Sequence, residues 1–482
     1  MAEVRTYGGW RKRRGLGLFG LGTTGTLVLL GAVAGVMLLG SVSPVLALYT
    51  GPVVAIAGGL ALVQVDGIPL GRAVLRHVRW WYGSARRYTR YNAGMVLPHP
   101  RAFQLPGVLA PTRLLSAEDG YGGPYGVVWN RRSGLLTVTL KVVPTSMWLA
   151  DRDDADGWVA GWGNWLASLG HVPMLRWVTV TVDTAPEPGS TLADTVGQAV
   201  SPHAPAPATL LLDELVRAAP STAADVRTYV SLTFDPSRSP TPLKDLTAAI
   251  EQVSRTVEIL ISPLGSCGVA VMGRATAEEI AGIVRSAFDP VSRGETTRSH
   301  LTWADAGPVT AEEFVDHYRH DSGASISWAW HEAPRQNVPA DVLSRLVAPG
   351  PFAKRVSLQY RPFPAAYATK VLEEEVNAAA FREQYRRRTG RDETARDAYD
   401  QARARQAAAE EAMGAGVTLV TLYVTTTVTD LADLPEAAAR TEGAAETSRI
   451  RLRRLWGSQA AGFATTLPCG ICPAELAQRW KR

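Results

Sequence analysis

Two cysteines have a spacing that could do chemistry. Cys469 and Cys472 form a Cys-x-x-Cys pair, which occurs in redox sites and as half of a zinc site. A structural zinc ion needs two further ligands, and no other His or Cys lies nearby in the sequence. A thioredoxin-type pair opens a helix after a strand, whereas here Pro473 and a short tail follow. We therefore interpret both cysteines as structurally inert thiols.

Histidines form the second candidate cluster. His317 and His320 stand three residues apart beside Asp316 and Asp321. On a predicted helix over 311–320, both imidazoles would lie on one side. No third ligand can be named, and a charged helix end has the same composition. We therefore predict no metal site.

The motifs of nucleotide and hydrolytic chemistry are not satisfied. Gly15-Leu16-Gly17-Leu18-Phe19-Gly20 has the letters of a dinucleotide fingerprint, but no strand precedes it. The sequence contains no Gly-Lys dipeptide, hence no Walker A loop, and no Gly-x-Ser-x-Gly elbow. We therefore predict no catalytic residue, no cofactor and no enzymatic activity. A membrane-anchored hydrolase or transferase with a site built from scattered residues remains an alternative.

An uncharged stretch organises the N-terminal part of the chain. Residues 15–65 contain no Asp, Glu, Lys or Arg, and about 20 helical residues cross the hydrocarbon core of a bilayer. The stretch predicts two transmembrane helices, 16–39 and 45–65, that form a hairpin around 40–44. The apolar region of a secretory signal peptide is only about 7–15 residues long, which disfavours a cleaved leader.

Basic residues on both sides of this stretch predict its orientation. Lys and Arg close to a span stay on the cytoplasmic side, so we expect a multi-pass protein of the inner (cytoplasmic) membrane with both termini in the cytoplasm. Gly31 and Gly35 form a small-xxx-small pair, a candidate helix-packing contact within the hairpin or between protomers. The expected anchors at the membrane interface are basic or aromatic: Arg13, Arg14, Arg79, Trp80, Trp81, Arg86 and Arg87.

Charge and cysteine content restrict the partners. The formal net charge is +5, but residues 1–14 carry +4 and residues 66–94 carry +5, so the remainder carries −4. A nucleic-acid-binding body would be basic, and we expect no direct nucleic-acid partner. Three cysteines are too few for a disulfide scaffold and suit a reducing compartment.

The pattern along the chain predicts five segments. A basic cytoplasmic N-terminus (1–14) precedes the transmembrane hairpin (15–65). A juxtamembrane basic and aromatic segment with a Pro/Gly-rich connector (66–126) leads to a first cytosolic α/β domain (127–290). A polar stretch separates this from a second cytosolic α+β domain (308–482), which contains a charged helical hairpin (365–413) suited to docking a partner.

Strands and helices alternate in both predicted domains. Leu136, Val138 and Leu140 alternate with Thr137 and Thr139, which indicates a strand with one buried and one solvated face. Further strands are predicted over 177–183, 226–234, 267–272, 324–330, 356–360, 417–429 and 463–467, and helices over 154–169, 208–218, 242–260, 276–288, 340–347 and 434–456. We therefore predict an α+β fold, with the N-terminal transmembrane helical hairpin followed by cytosolic two-layer α/β domains of ferredoxin-like type.

Two features resemble a known family. The two-span N-terminus is similar to the small inner-membrane subunit of type IV secretion systems, including the PrgI family of Gram-positive conjugation. Residues 417–425 (Val-Thr-Leu-Val-Thr-Leu-Tyr-Val-Thr), the helix after them, residues 458–463 (Ser-Gln-Ala-Ala-Gly-Phe) and Leu467-Pro468 resemble the end of the non-catalytic N-terminal domain of the large type IV secretion ATPase.

The resemblance implies a fusion of these two parts, in an actinobacterial conjugative element. Such a chain would be an inner-membrane scaffold that recruits a separate P-loop secretion ATPase. Its other partners would be inner-membrane secretion subunits, membrane lipid and sister copies of itself. No motor residue can be carried over, because the motor module is missing. The main alternative is membrane component E of type VII secretion, which also has two N-terminal spans and a cytosolic α/β domain.

Overall fold

The chain is described by a computed structural model. It covers residues 7–8, 23–62, 64–65, 68–93, 103–120, 122–146, 150–186, 196–197, 199–201, 203–218, 224–241, 243, 245–294, 300–332, 334, 336–364, 367, 406, 409 and 416–479. The predicted helical pair 365–413 falls almost entirely outside these residues, and so do Arg13 and Arg14.

Three helices begin the described chain. Helix α1 (Thr23–Val42) and helix α2 (Pro44–Leu62) contact each other and are separated only by Ser43. The short strands β1 (Gln64–Val65) and β2 (Ile68–Pro69) pair antiparallel and lead into α3 (Leu70–Ala85).

The predicted membrane spans are not found. Of the helices in the described ranges, none combines the length with the apolar character that crossing a bilayer requires. A lack of charge is not the same as hydrophobicity: α1 opens with three threonines and a glycine over 23–26, and α2 contains Pro52. The predictions of a transmembrane hairpin, of a multi-pass membrane localisation and of a membrane protein are therefore wrong. The predicted interface anchors and the predicted lipid partner depend on these spans, so the structure gives no membrane for them to contact.

One large antiparallel sheet dominates the structure. Within the described residues, its 13 strands run in the order β3-β10-β11-β12-β14-β13-β7-β8-β6-β5-β4, with β15 beside β12 and β9 beside β6. The strands are β3 (Arg90–Asn92), β4 (Thr112–Glu118), β5 (Pro124–Asn130), β6 (Leu135–Pro144), β7 (Leu175–Pro186), β8 (Ala224–Phe234), β9 (Val269–Arg274), β10 (Thr310–Glu313), β11 (Tyr318–His320), β12 (Gly323–Glu332), β13 (Ala353–Pro362), β14 (Thr418–Val428) and β15 (Arg451–Arg454). The predicted ferredoxin-like fold class is therefore wrong: segments 127–290 and 308–482 contribute strands to the same sheet, joined where β7 pairs with β13.

Further helices follow α3, and several of them cover the two faces of this sheet. They are α4 (Arg152–Ser168), α5 (Ala206–Ala218), α6 (Leu246–Ile261), α7 (Ala277–Phe288), α8 (Ser344–Val347), α9 (Leu434–Thr447), α10 (Gln459–Thr465) and α11 (Pro473–Arg479). Helix α7 has the capping box that the sequence predicts, in which Thr276 and Glu279 each bond the other's backbone N–H.

The apolar face of the sheet carries two cores. In the first half, Val138, Val178 and Leu232 pack with Trp165 of α4 and Val253 of α6. In the second half, a matching cluster gathers the apolar residues of the strands with those of α8 and α9: Ile326, Trp328, Leu346, Val356, Val424, Ala438 and Ala445. Strict alternation along each strand places these residues on one side, which explains why the strand predictions succeed.

The opposite face is polar, yet it is buried. Thr137 and Thr139, expected to face solvent, are 2% and 0% exposed. Helices α7 and α10, which share an apolar cluster, and the chain after α10 cover this face. Paired hydroxyl groups satisfy each other beneath that cover: Thr137–Thr233 at 3.0 Å, Thr139–Ser231 at 3.0 Å, Thr181–Ser357 at 2.7 Å, Ser325–Thr427 at 2.8 Å and Ser327–Thr425 at 2.9 Å.

The two halves of the sheet repeat one design. The order β6-β8-β7 with β9 beside β6 matches the order β12-β14-β13 with β15 beside β12. The register agrees as well: Val230 pairs with Leu140 and Val180, and Val424 pairs with Trp328 and Val356. In this equivalence Thr181 corresponds to Ser357, and these two residues face each other across the β7–β13 junction. A pseudo-two-fold axis therefore passes through this pair.

We expect the central pair to be energetically coupled. Thr181→Val or Ser357→Ala leaves a buried hydroxyl without its partner and should cost about 1–2 kcal/mol of unfolding free energy. The double variant removes both hydroxyls and should lose less than the sum, by about 1 kcal/mol. Urea denaturation of the four proteins measures this coupling, and strictly additive losses would contradict it.

Three local predictions are wrong. Residues 311–320 form β10 and β11 rather than a helix. The predicted helix 434–456 stops at Thr447, and strand β15 follows. The predicted strand 463–467 lies mostly within helix α10.

Candidate interaction surface

A cluster of buried charges lies on the polar face near the β7–β13 junction. Nη1 of Arg293 donates to both carboxylate oxygens of Asp183 at 3.0 and 3.2 Å, and its Nε donates to Asp225 at 3.0 Å. Burial lowers the pKa of Arg293, but the two carboxylates outweigh burial and hold it above its usual value. Burial lowers the pKa of Arg355 to about 10, partly offset by Asp183. Its Nε donates to Thr466 at 3.2 Å. The cluster thus binds parts of the fold to each other.

His320 and Ser325 have the geometry of a base and a nucleophile. His320 Nε2 lies 2.8 Å from Ser325 Oγ, and its Nδ1 lies 2.6 Å from the carbonyl oxygen of Phe288. Both side chains are 0% exposed, so a substrate does not reach them in this conformation. His317 does not join this pair, because its ring stacks on that of Phe314. His320 ends strand β11 and His317 comes just before that strand, so the helical spacing assumed from the sequence does not apply. Within the described residues, no three His, Cys, Asp or Glu side chains are placed to hold a metal ion.

The two C-terminal cysteines are interior groups. Cys469 and Cys472 are 1% and 2% exposed. Burial raises the pKa of the Cys469 thiol to about 12 and also raises that of Cys472. Since the thiolate is the reactive form, neither group is activated. Gly470 between them lies directly on Thr137 of the sheet.

Apolar side chains are exposed on α3, where they are least expected. Val74, Leu75, Val78, Trp81 and Tyr82 are each more than half exposed. The helix instead turns Ala73, Arg76 and Trp80 toward the body, and Trp80 lies against Gly457 in the turn before α10. A helix normally buries its most apolar stripe, so this surface is suited to a partner.

The predicted anchor residues are distributed around α3. Arg79 is exposed, Trp81 is 68% exposed and Trp80 is half-buried. The Arg86 guanidinium lies 5.0 Å from the centre of the Tyr82 ring. Arg87 has φ +57° in the turn after the helix. Arg79, Trp81 and Arg86 are thus exposed with the apolar stripe, whereas Trp80 faces the body.

Helix α5 is a second exposed apolar element. Leu210, Leu211 and Leu215 are 69%, 60% and 59% exposed, and Leu212 is 36% exposed. The sequence predicts this helix, but its surface role was missed. The signal was a run of three leucines next to Asp213 and Glu214.

The α1–α2 hairpin also exposes apolar side chains, among them Met37, Leu38, Leu48 and Tyr49. A Cβ added at Gly31 or Gly35 would meet no atom within 4 Å, so these glycines are open within the chain. Their predicted contact with another protomer remains a prediction.

A scan against protein-family models found no match, and a comparison with curated proteins found none either.

Proposed function

We propose that this chain is a non-enzymatic docking subunit of a type IV secretion-like machine, which recruits a separate P-loop ATPase. The observation that supports docking is the location of exposed apolar side chains. They are concentrated on α1, α2, α3 and α5, outside the two cores. Large exposed apolar patches are typical of protein contact sites.

The polar groups support the same proposal by their location. The paired hydroxyl groups of the polar face, the Arg293–Asp183 pair and the His320–Ser325 pair are all buried, and each is hydrogen-bonded within the protein. These polar groups thus stabilise the sheet, while the exposed apolar helices provide surface for contact with other proteins. A subunit of this kind acts by holding its partners at high effective concentration, so individually weak contacts suffice.

The secretion assignment rests on the resemblance of residues 417–425, 458–463 and Leu467-Pro468 to the ATPase's non-catalytic domain. In the fold these residues form β14, α10 and the turn after it, at the centre of the second half. The partners proposed on this basis are the secretion ATPase, other secretion subunits and sister copies of this chain.

Co-purification from the native host tests the proposal. The tagged full chain should recover a P-loop ATPase of a conjugative system, identified by mass spectrometry, and the purified chain alone should not hydrolyse ATP. A Trp81→Glu variant, shown to be folded by its circular dichroism spectrum, should recover less of these partners than the control variant Arg131→Glu, which changes an exposed residue elsewhere. Recovery of type VII core components instead would favour the alternative machine. Recovery of no secretion subunit would contradict both.

A further inference from the structure

The exposed stripe of α3 has a basic border. With 3.6 residues per turn, Val74, Val78 and Trp81 fall on one line of the helix, flanked by Leu75 and Tyr82. Arg79 lies beside Leu75 on the outer edge of this stripe, and Arg86 continues that edge just after the helix. A partner must therefore offer an apolar surface with acidic residues at its border.

Helix α5 of this same chain offers that chemistry. The helical period places Leu211, Leu212 and Leu215 on one face. Glu214 lies beside Leu211 at one edge of this face, while Asp213 and Leu210 point away from it. Almost every residue of α5 with a described side chain is exposed. Among the side chains of α5 that are described, only Thr209 and Val216 are partly buried. Because a helix of 13 residues is marginally stable in water by itself, contact with a partner would stabilise α5.

We propose that copies of this chain associate head to tail, with α5 of one copy packing on the apolar stripe of α3 in the next. The apolar faces are matched, and the charges at their borders are opposite: Arg79 and Arg86 along the edge of the α3 stripe, and Glu214 at the edge of the α5 face. Both surfaces are exposed in the single chain, so neither is occupied by the other. The proposal deepens the self-association named above and does not depend on the secretion assignment.

Head-to-tail contacts have a distinctive consequence. The interface joins two different surfaces, so each copy has one free α3 and one free α5, and association continues into a ring or a filament. Two short helices make a small contact area, and interfaces below about 1,200 Å² are weak. We therefore expect association that depends on concentration.

Complementation between two variants of the full chain tests this arrangement. Trp81→Glu with Arg79→Glu removes the α3 surface, and Leu211→Asp with Leu215→Asp removes the α5 surface. Each variant alone should stay monomeric in analytical ultracentrifugation. The wild type should associate as its concentration is raised to about 200 µM. An equimolar mixture of the variants should form a one-to-one dimer, since each retains the surface the other lacks. Misfolding of either variant cannot produce such a dimer.

Matched controls remove charge or leucine elsewhere. Arg131→Glu makes the same charge change on an exposed turn, and Leu210→Asp makes the same change on the other side of α5. Both should associate like the wild type, whereas Arg79→Glu alone should weaken association at least about tenfold. A monomeric wild type, or a mixture that stays monomeric, would overturn the proposal. Wild-type binding to anionic lipid vesicles without self-association would also overturn it. These outcomes are independent of whether a secretion ATPase co-purifies.

Discussion

Gly470→Ala should destabilise the protein by about 2–5 kcal/mol, because two costs act at this position. Gly470 has φ +63°, a left-handed conformation that costs a residue with a Cβ about 1–2 kcal/mol. The added methyl group would also overlap the Thr137 hydroxyl and lie 3.2 Å from that of Thr233. Overpacking of this kind typically costs about 1–3 kcal/mol. Urea denaturation of the purified chain measures the total.

A second glycine separates the two costs. Gly107 has φ +59°, and a Cβ there would meet no atom within 4 Å. Gly107→Ala should therefore show only the conformational cost. In a Thr137→Ala background, the effect of Gly470→Ala should shrink, since the overlapping oxygen is gone. If Gly470→Ala and Gly107→Ala lost the same unfolding free energy, the chain after α10 would not be packed tightly against the polar face of the sheet.

Acid should destabilise the protein through His320. Burial lowers the pKa of His320 to about 4, and the neighbouring Arg355 adds to this, although the bond to Phe288 opposes it. The unfolded chain has an ordinary histidine with a pKa of about 6.5. Between these values the unfolded state binds more protons, so stability is present above about pH 6.5 and is lost as the pH falls toward 4. The full loss amounts to about 3 kcal/mol.

The contribution of His320 is the difference between two pH profiles. Carboxyl groups contribute to the same profiles; for example, burial raises the pKa of Glu313 above its usual value. Denaturation midpoints of the wild type and His320→Gln, taken from about pH 7 to pH 4.5, cancel these terms. The variant should be less stable at neutral pH but should lose less stability on acidification. His317→Gln, which keeps His320, should retain the wild-type slope. Parallel profiles for wild type and His320→Gln would contradict a buried neutral histidine.

Local sequence patterns succeeded where one physical cause dominated. Alternation identified the long strands, including β6, β8 and β14, because a strand with one apolar face repeats every two residues. The capping box of α7 was readable because both of its bonds are made within one turn.

Patterns misled where a neighbouring element decided the outcome. Ala311, Phe314, Val315 and Tyr318 have helical spacing, yet β3 and β12 hold this stretch as strands β10 and β11. The alanine-rich run after Leu434 suggested a long helix, but Arg449 takes φ +55° and the chain turns to pair with β12.

The sequence by itself therefore determined most of the strands, the main helices and the candidate polar residues, since these depend on contacts a few residues apart. Only the tertiary structure decided that both halves share one sheet, because pairs such as Thr181–Ser357 join residues far apart in the chain. It also decided which surfaces are free. Thr137 and Thr139 are polar but buried under α7, α10 and the following segment, whereas Trp81 and Leu211 are apolar but exposed. Burial depends on which element packs against a face, and side-chain chemistry alone does not specify that element.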